Sequence, residues 1–338
     1  MSEWKKVKLG EICERVTSGG TPKANVSSYY NPPTIPWLKT KEVNYCRITE
    51  TENYISAEGL PNSSATLISP NSVIIAMYGQ GDTAGRIAIN KIPLATNQAC
   101  CNLTIDKSKA DYEFIYYQLC TLYDKLVSLK AGAAQPNLNA RIIKNLEIIM
   151  PSLPIQHRIA SILSRYDSLI ENYQKQIKLL GEAAQRLYKE WFIDLHFPGH
   201  ENTNIIDGVP EGWEKKKVGD ITPIITGKKD ANFGTPDGEY PFFTCSQEPI
   251  KAPSFSFDCA AVLLAGNGDF NVKLYRGRFE AYQRTYVLSP YIDSHLYLLF
   301  YTISANMTKL AAGSSGSTIK FLTKGMIDGI NLNVPNDE

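Results

Sequence analysis

Trp4-Lys5-Lys6-Val7-Lys8-Leu9-Gly10-Glu11-Ile12 returns later in the chain as Trp213-Glu214-Lys215-Lys216-Lys217-Val218-Gly219-Asp220-Ile221, and this echo decides the fold. Val16-Thr17-Ser18 meets Ile225-Thr226-Gly227 at the same constant offset. Downstream, Val73-Ile74-Ile75-Ala76 followed by Gly79-Gln80-Gly81-Asp82 matches Val262-Leu263-Leu264-Ala265 followed by Gly266-Asn267-Gly268-Asp269. Each copy then reaches a small-residue loop, Gly132-Ala133-Ala134-Gln135 or Gly313-Ser314-Ser315-Gly316. Each closes on an alternating strand that runs into proline: Leu146, Ile148, Met150, Pro151 and Ile330, Leu332, Val334, Pro335. One short match arises by chance; an ordered series of them is a duplicated domain.

Within each copy, short β-rich segments such as Val73–Ala76 and Ala260–Ala265 are bounded by Gly, Pro and Asn. One helical stretch accompanies them, Tyr112–Leu129 in the first copy and Ser294–Leu310 in the second. That mixture predicts an α+β domain, present twice.

Between the copies the period changes. From Pro154, a residue suited to a first helical turn, apolar side chains recur at Ile155, Ile159, Ile162, Tyr166, Leu169, Tyr173, Ile177, Leu180, Ala184, Leu187 and Trp191. The steps alternate four and three, with one double four that has the form of a stutter. Charged residues such as Arg158, Arg165, Glu171, Lys175, Lys178 and Glu182 fill the gaps. An amphipathic helix packed on its own domain explains a run of ten residues, whereas a seam this long predicts a coiled-coil-type rod. At 1.5 Å per residue the rod would be roughly 55 Å long, ending at Pro198-Gly199. A second stripe, Leu163, Ile170 and Ile177, predicts more than one partner on it. The resulting division is 1–151, 152–197 and 198–338.

Composition bounds the function. Apolar residues make up 43% of the 338, enough for sizeable cores. A net charge of +1 means that any nucleic-acid surface must come from local arrangement of charge. Seven cysteines, an odd number without a C-x-x-C pair, and four scattered histidines argue against a disulfide framework or a zinc site. With no apolar run of signal-peptide or bilayer-spanning type, the expectation is a cytoplasmic protein with reduced thiols and no membrane partner.

Taken in order, these residues resemble the specificity subunits of type I restriction–modification enzymes. The resemblance rests on the Trp4–Ile12 segment with its copy, Thr17-Ser18-Gly19-Gly20-Thr21-Pro22, Ile35-Pro36-Trp37-Leu38-Lys39, Thr96-Asn97-Gln98 and Leu153-Pro154-Ile155-Gln156. The helix ending Leu187-Tyr188-Lys189-Glu190-Trp191-Phe192, with Phe197-Pro198, is also similar. The resemblance covers nearly the whole chain. It implies two target-recognition domains joined by a long helix, each domain reading one half of a split double-stranded DNA site. It further implies a non-catalytic chain that binds no cofactor. The helix would act as a ruler and dock methyltransferase subunits, which carry S-adenosylmethionine, within a complex that includes a restriction and translocation subunit. The family pattern calls for a second long helix after the second domain, but Pro335, the counterpart of Pro151, is followed only by Asn336-Asp337-Glu338. The expected cover for the seam is therefore a methyltransferase helix or a second copy of the chain.

Two motifs invite catalytic readings. Asn31-Pro32-Pro33-Thr34 resembles the amine-holding tetrapeptide of amino-methyltransferases, but Thr34 replaces the aromatic that stacks on a flipped base. The Gly-Gln-Gly-Asp and Gly-Asn-Gly-Asp turns lack the lysine and hydroxyl that complete a phosphate loop. For DNA contact, Arg and Lys suit guanine and phosphate, and Asn and Gln suit adenine. The candidates in the first copy are Lys39, Lys41, Tyr78, Gln80, Arg86, Asn97, Gln98 and Gln135. In the second they are Lys228, Lys229, Asn267, Lys273, Arg276, Arg278 and Arg284, with Lys273–Arg278 the strongest because basic residues there interleave with Tyr275. The competing functions are a free-standing DNA-binding regulator, which would bind its site tightly alone, and an enzyme in its own right, which would turn over substrate when pure.

Overall fold

In the computed structural model, residues 4–130, 137–316 and 320–336 are described. The chain divides into two compact units, Met1–Gln174 and Lys175–Glu338.

The first unit is built on Val73–Ala76, whose four residues are all buried. Such a continuous apolar run suits a strand covered on both faces. Its neighbours are Cys100–Ile105 and Ile87–Asn90, both antiparallel to it. Cys13–Ser18 and Cys46–Ile48 complete a five-stranded sheet, the latter joined in parallel to Ile87–Asn90. Alternate side chains serve different cores. Val73 and Ile75 pack with Ile115 and Leu119 of the domain's helix, while Ile74 and Ala76 pack with Leu38 and Leu94. Leu38 and Leu94 belong to a second sheet of four short strands, Tyr54–Ile55, Ile35–Leu38, Leu94–Thr96 and Leu67–Ile68. The predicted helical stretch is interrupted at Thr121-Leu122, giving Tyr112–Cys120 and Tyr123–Ser128. Asp111 caps the former by accepting from the Phe114 amide at 2.9 Å.

The second unit repeats this plan. Phe257–Ala265 lies between Thr285–Leu288 and Val272–Ala281 in a six-stranded sheet. Val262 and Leu264 face Leu299 and Ile303 of the helix His295–Gly313, and Ala261 and Leu263 face Phe243 and Phe279. The paired echoes close each copy in the same way: Lys5–Lys8 pairs with Glu147–Met150, and Trp213–Lys217 with Asn331–Pro335.

Strand register corrects two details of the sequence alignment. Ser18 pairs with Cys101, and Thr226 pairs with Tyr286. The true counterpart of Ser18 is thus Thr226 rather than Gly227. The first copy carries an extra residue there, accommodated by an irregularity at Thr104/Ile105. Similarly, Ala76 and Ala265 are equivalent, opposite Cys100 and Thr285, but the first copy's turn then runs two residues longer before its left-handed glycine. That glycine is Gly81 in one turn and Gly268 in the other, with φ of 60° and 69°.

The helix between the copies spans Leu153–Tyr188 and continues as one wider turn, Lys189–Ile193. It stops short of Pro198-Gly199. Phe192 and Phe197 both turn onto Trp213, with ring centroids 5.3 and 4.8 Å away, and Leu195 takes a φ of 60°. The helix therefore ends at Ile193, ahead of the proline, where the chain turns these rings onto Trp213. Ile155 and Ile159 are half-buried on the first unit, where Ala160 is buried. Trp191 is half-buried. Ile162, Tyr166, Leu169, Tyr173, Ile177, Leu180 and Leu187 are all exposed, as are Leu163 and Ile170 of the second stripe.

Candidate nucleic-acid interface

In each unit, backbone hydrogen bonds tie four chain segments into one knot at a common end of the strands. In the first unit the Asn97 amide donates to Leu38 at 2.9 Å, that of Met77 to Ala99 at 2.7 Å, and that of Leu138 to Met77 at 3.0 Å. In the second unit Tyr282 donates to Phe243 at 3.0 Å, Gly266 to Arg284 at 2.7 Å, and Leu322 to Gly266 at 2.8 Å. The bonds correspond one for one. By this register Tyr78, not Gln80, occupies the place of Asn267.

Side chains able to read DNA leave this knot in both copies. Lys39 follows the strand Ile35–Leu38 and sets its ammonium over the Trp37 ring, 5.1 Å from the centroid. Trp37 is itself held by donating to the Gly20 carbonyl at 3.0 Å. Asn97 is half-buried and accepts from the Cys100 thiol at 3.3 Å, while Gln98 is exposed and takes the Thr21 hydroxyl. Tyr78 is half-buried and Gln80 exposed in the adjoining turn.

The second unit gathers Lys228, Lys229, Asn267 and Arg284. Lys229 lies over the Phe233 ring at 4.4 Å, and its carbonyl accepts from the Gln283 amide at 2.9 Å. Asn267 bridges to Phe321 and accepts from Cys245 at 2.8 Å. Lys228 and Arg284 are exposed. Tight backbone approach makes glycine necessary here: a Cβ on Gly227 would lie 1.9 Å from the Ala281 carbonyl oxygen, and one on Gly19 would lie 2.1 Å from that of Thr96.

Other sequence candidates lie outside these knots. Arg276 and Arg278 share one face of Val272–Ala281, but each already holds a carboxylate. Arg276 meets Asp293 at 2.9 Å, and Arg278 meets Asp258 at 3.0 Å while stacking on Phe255. Burial lowers the pKa of Lys273, whose ammonium donates to Asn271. Arg86 is engaged by Asp82 at 2.6 Å and Asn44 at 2.9 Å, and Lys41 by Glu52. Gln135 and the first small-residue loop lie outside the described residues.

Sequence reading missed Thr21, Gln283 and Phe321. Two of them carried a signal: Thr21 stands in the quoted Thr17–Pro22 segment, and Gln283 follows Tyr282 as Gln98 follows Asn97. Asn31–Thr34 forms an exposed loop. Among the described residues no group of three or more His, Cys, Asp or Glu is placed to hold a metal ion. Also among them, no helix is long and apolar enough to cross a membrane.

The chain is similar to the type I restriction enzyme MjaIX specificity subunit of Methanocaldococcus jannaschii, 32% identical over 234 residues, which is 67% of this chain and 53% of that protein. It is similar to the EcoDI specificity subunit of Escherichia coli, 41% identical over 128 residues, which is 38% of this chain and 29% of that protein. These matches span about half or less of the relatives' length. A crystal structure of a type I restriction–modification system S subunit from M. genitalium shares the fold at a TM-score of 0.62 and 15% identity, covering 99% of this chain and 85% of that one. A family model, the type I restriction modification DNA specificity domain, matches residues 1–180 and 210–338, one stretch for each copy of the repeat. The chain therefore belongs to the family of type I restriction modification DNA specificity domains.

Proposed function

We propose that this chain is the DNA-reading specificity subunit of a type I restriction–modification complex, each duplicated domain contacting one half of a bipartite site. The observation that carries this reading is the repeated knot. The same backbone bonds recur in both copies, yet the side chains they present differ: Lys39, Tyr78, Asn97 and Gln98 against Lys228, Lys229, Asn267 and Arg284. A shared frame with different hydrogen-bonding side chains suits two half-sites of different sequence.

In this reading the chain performs no chemistry. The methyltransferase subunits bring S-adenosylmethionine, and a restriction and translocation subunit acts through the assembled complex in the cytoplasm. The domains divide at 1–151, 152–197 and 198–338, and the exposed seam Ile162–Leu187 is the surface where methyltransferase helices or a second copy of this chain pack.

The test is co-expression with a type I methyltransferase subunit from the same genome, followed by mapping of methylated sites in genomic DNA. A bipartite motif is expected. Exchanging residues 205–335 for the second domain of another member should change one half of the motif only. A change in both halves, or in neither, contradicts modular reading. Tight site-specific binding by the chain alone, unaltered by the methyltransferase, would point instead to a free-standing regulator.

A further inference from the structure

Arg47 is the middle residue of the strand Cys46–Ile48, paired in parallel with Ile89. Its side chain is only 6% exposed, yet it faces three carboxylates: Asp167 at 3.1 Å, Glu171 at 3.2 Å and Glu113 at 3.6 Å. It also donates to the Tyr117 hydroxyl at 2.8 Å, which in turn donates to Asp167 at 2.6 Å. Lys91 steadies the far side, meeting Glu113 at 3.3 Å and Asn71 at 3.1 Å. Asp167 and Glu171 are one turn apart on the long helix, and Glu113 and Tyr117 one turn apart on Tyr112–Cys120, so each helix offers a single face. Burial works against the arginine's charge, but the tyrosine and carboxylates more than offset it and hold its pKa above the ordinary value.

Mere adhesion does not require this arrangement. A well-packed apolar group is usually as stabilising as a buried ion pair. What the planar, many-donor guanidinium adds is direction. Moving the helix by one residue swings its face through about 100° and would unmake the bonds to Asp167 and Glu171 together. Among the described residues the second copy has no such lock. There Tyr301 occupies the place of Tyr117, as shown by the fully buried pairs Ile115/Leu299 and Leu119/Ile303. It stacks on Tyr188 of the long helix with centroids 5.8 Å apart, and Tyr188 meets Thr302 at 3.1 Å. Stacked rings tolerate rotation and sliding that a forked ion pair does not.

We propose that Arg47 is a positioning residue for sequence recognition. It locks the angular setting of the first recognition domain on the long helix, and so fixes how many base pairs separate the two half-sites. The inference rests on the proposed DNA-reading function. Arg47 lies on Cys46–Ile48, the edge strand of the first unit's five-stranded sheet, so the lock belongs to the first domain.

The test uses the full chain with its methyltransferase and, once the motif is mapped, duplexes whose spacer varies one base pair at a time. The native protein should prefer one spacer by about tenfold, the scale of coupling within one interaction network. Arg47→Met should flatten that preference to about twofold while leaving affinity for an isolated first half-site nearly unchanged; Arg47→Lys should fall between. Amides of residues 153–174 should exchange faster in Arg47→Met. If that variant fails to fold, Asp167→Asn with Glu171→Gln removes the helix side of the lock and makes the same prediction. A folded variant that keeps the native spacer preference overturns the inference. If the native protein shows no sequence preference, the functional reading falls and takes this inference with it, a result distinguishable from an intact preference in the variant.

Discussion

Replacing Leu169 and Leu180 with Glu tests whether the bare seam of the long helix is an assembly surface. Leu169 is 48% exposed and Leu180 is 69% exposed, so neither supports the fold of the chain by itself to any large degree. Full burial of a leucine is worth about 1.5–3 kcal/mol. Scaled by the exposure that remains, covering both positions yields about 1.8–3.5 kcal/mol, or about 20- to 400-fold in a dissociation constant. Placing two carboxylates at the seam adds a desolvation penalty in the same direction. Helix propensity hardly changes, because Leu and Glu are close on that scale. Sedimentation velocity of the purified chain, alone and with a methyltransferase subunit, should therefore show an assembly with the native chain and its loss with the double variant. Urea unfolding should shift by at most about 1–2.5 kcal/mol, the worth of the part of each side chain that the chain itself already covers. A native chain that sediments as a monomer under both conditions, with binding and methylation unaffected by the substitutions, would refute the seam as a docking surface.

Gly227→Ala should destabilise the second unit by about 1–3 kcal/mol, the usual cost of overpacking, because its Cβ would sit 1.9 Å from the Ala281 oxygen. Gly181→Ala, on the long helix with nothing within 4 Å, should instead stabilise; equal melting temperatures for the two variants would refute the close approach. Lys228→Ala with Arg284→Ala should weaken DNA binding and reduce the salt slope by about two, whereas Arg276→Ala with Arg278→Ala should change the slope little because Asp293 and Asp258 already balance those charges. The opposite ranking would move the interface to the strand Val272–Ala281. Burial pushes the thiols of Cys13, Cys101 and Cys120 up to about 12 from an ordinary 9.0. The unfolded chain then loses these protons first, so stability should fall as pH rises from 9 towards 12. Cys101→Ala should make that fall shallower, and an unfolding midpoint that is flat with alkaline pH would contradict the burial.

The duplication and the long helix were legible in the sequence because both are written in local pattern. The Trp4 and Trp213 segments announce one fold twice, and spacing by fours and threes from Ile155 to Trp191 reports a helix with a continuous apolar face. Both signals survive without knowledge of what lies opposite in space. Contacts between residues distant in the chain decided the rest. The exchange of Tyr78 for Gln80 as partner of Asn267 depends on which carbonyl receives the Gly266 and Met77 amides. Arg276 and Arg278 read as free cations in a basic run, but strand pairing sets Asp258 beside one, and the start of the domain's helix brings Asp293 to the other. Arg47 drew no notice as a single charge between Cys46 and Ile48. Its partners lie on two helices far along the chain, and only packing converts it into the centre of a directional lock. Periodicity reports which face of an element is apolar. Which charge meets which partner is a property of the fold, since Coulomb and hydrogen-bond energies depend on distances that sequence spacing does not contain.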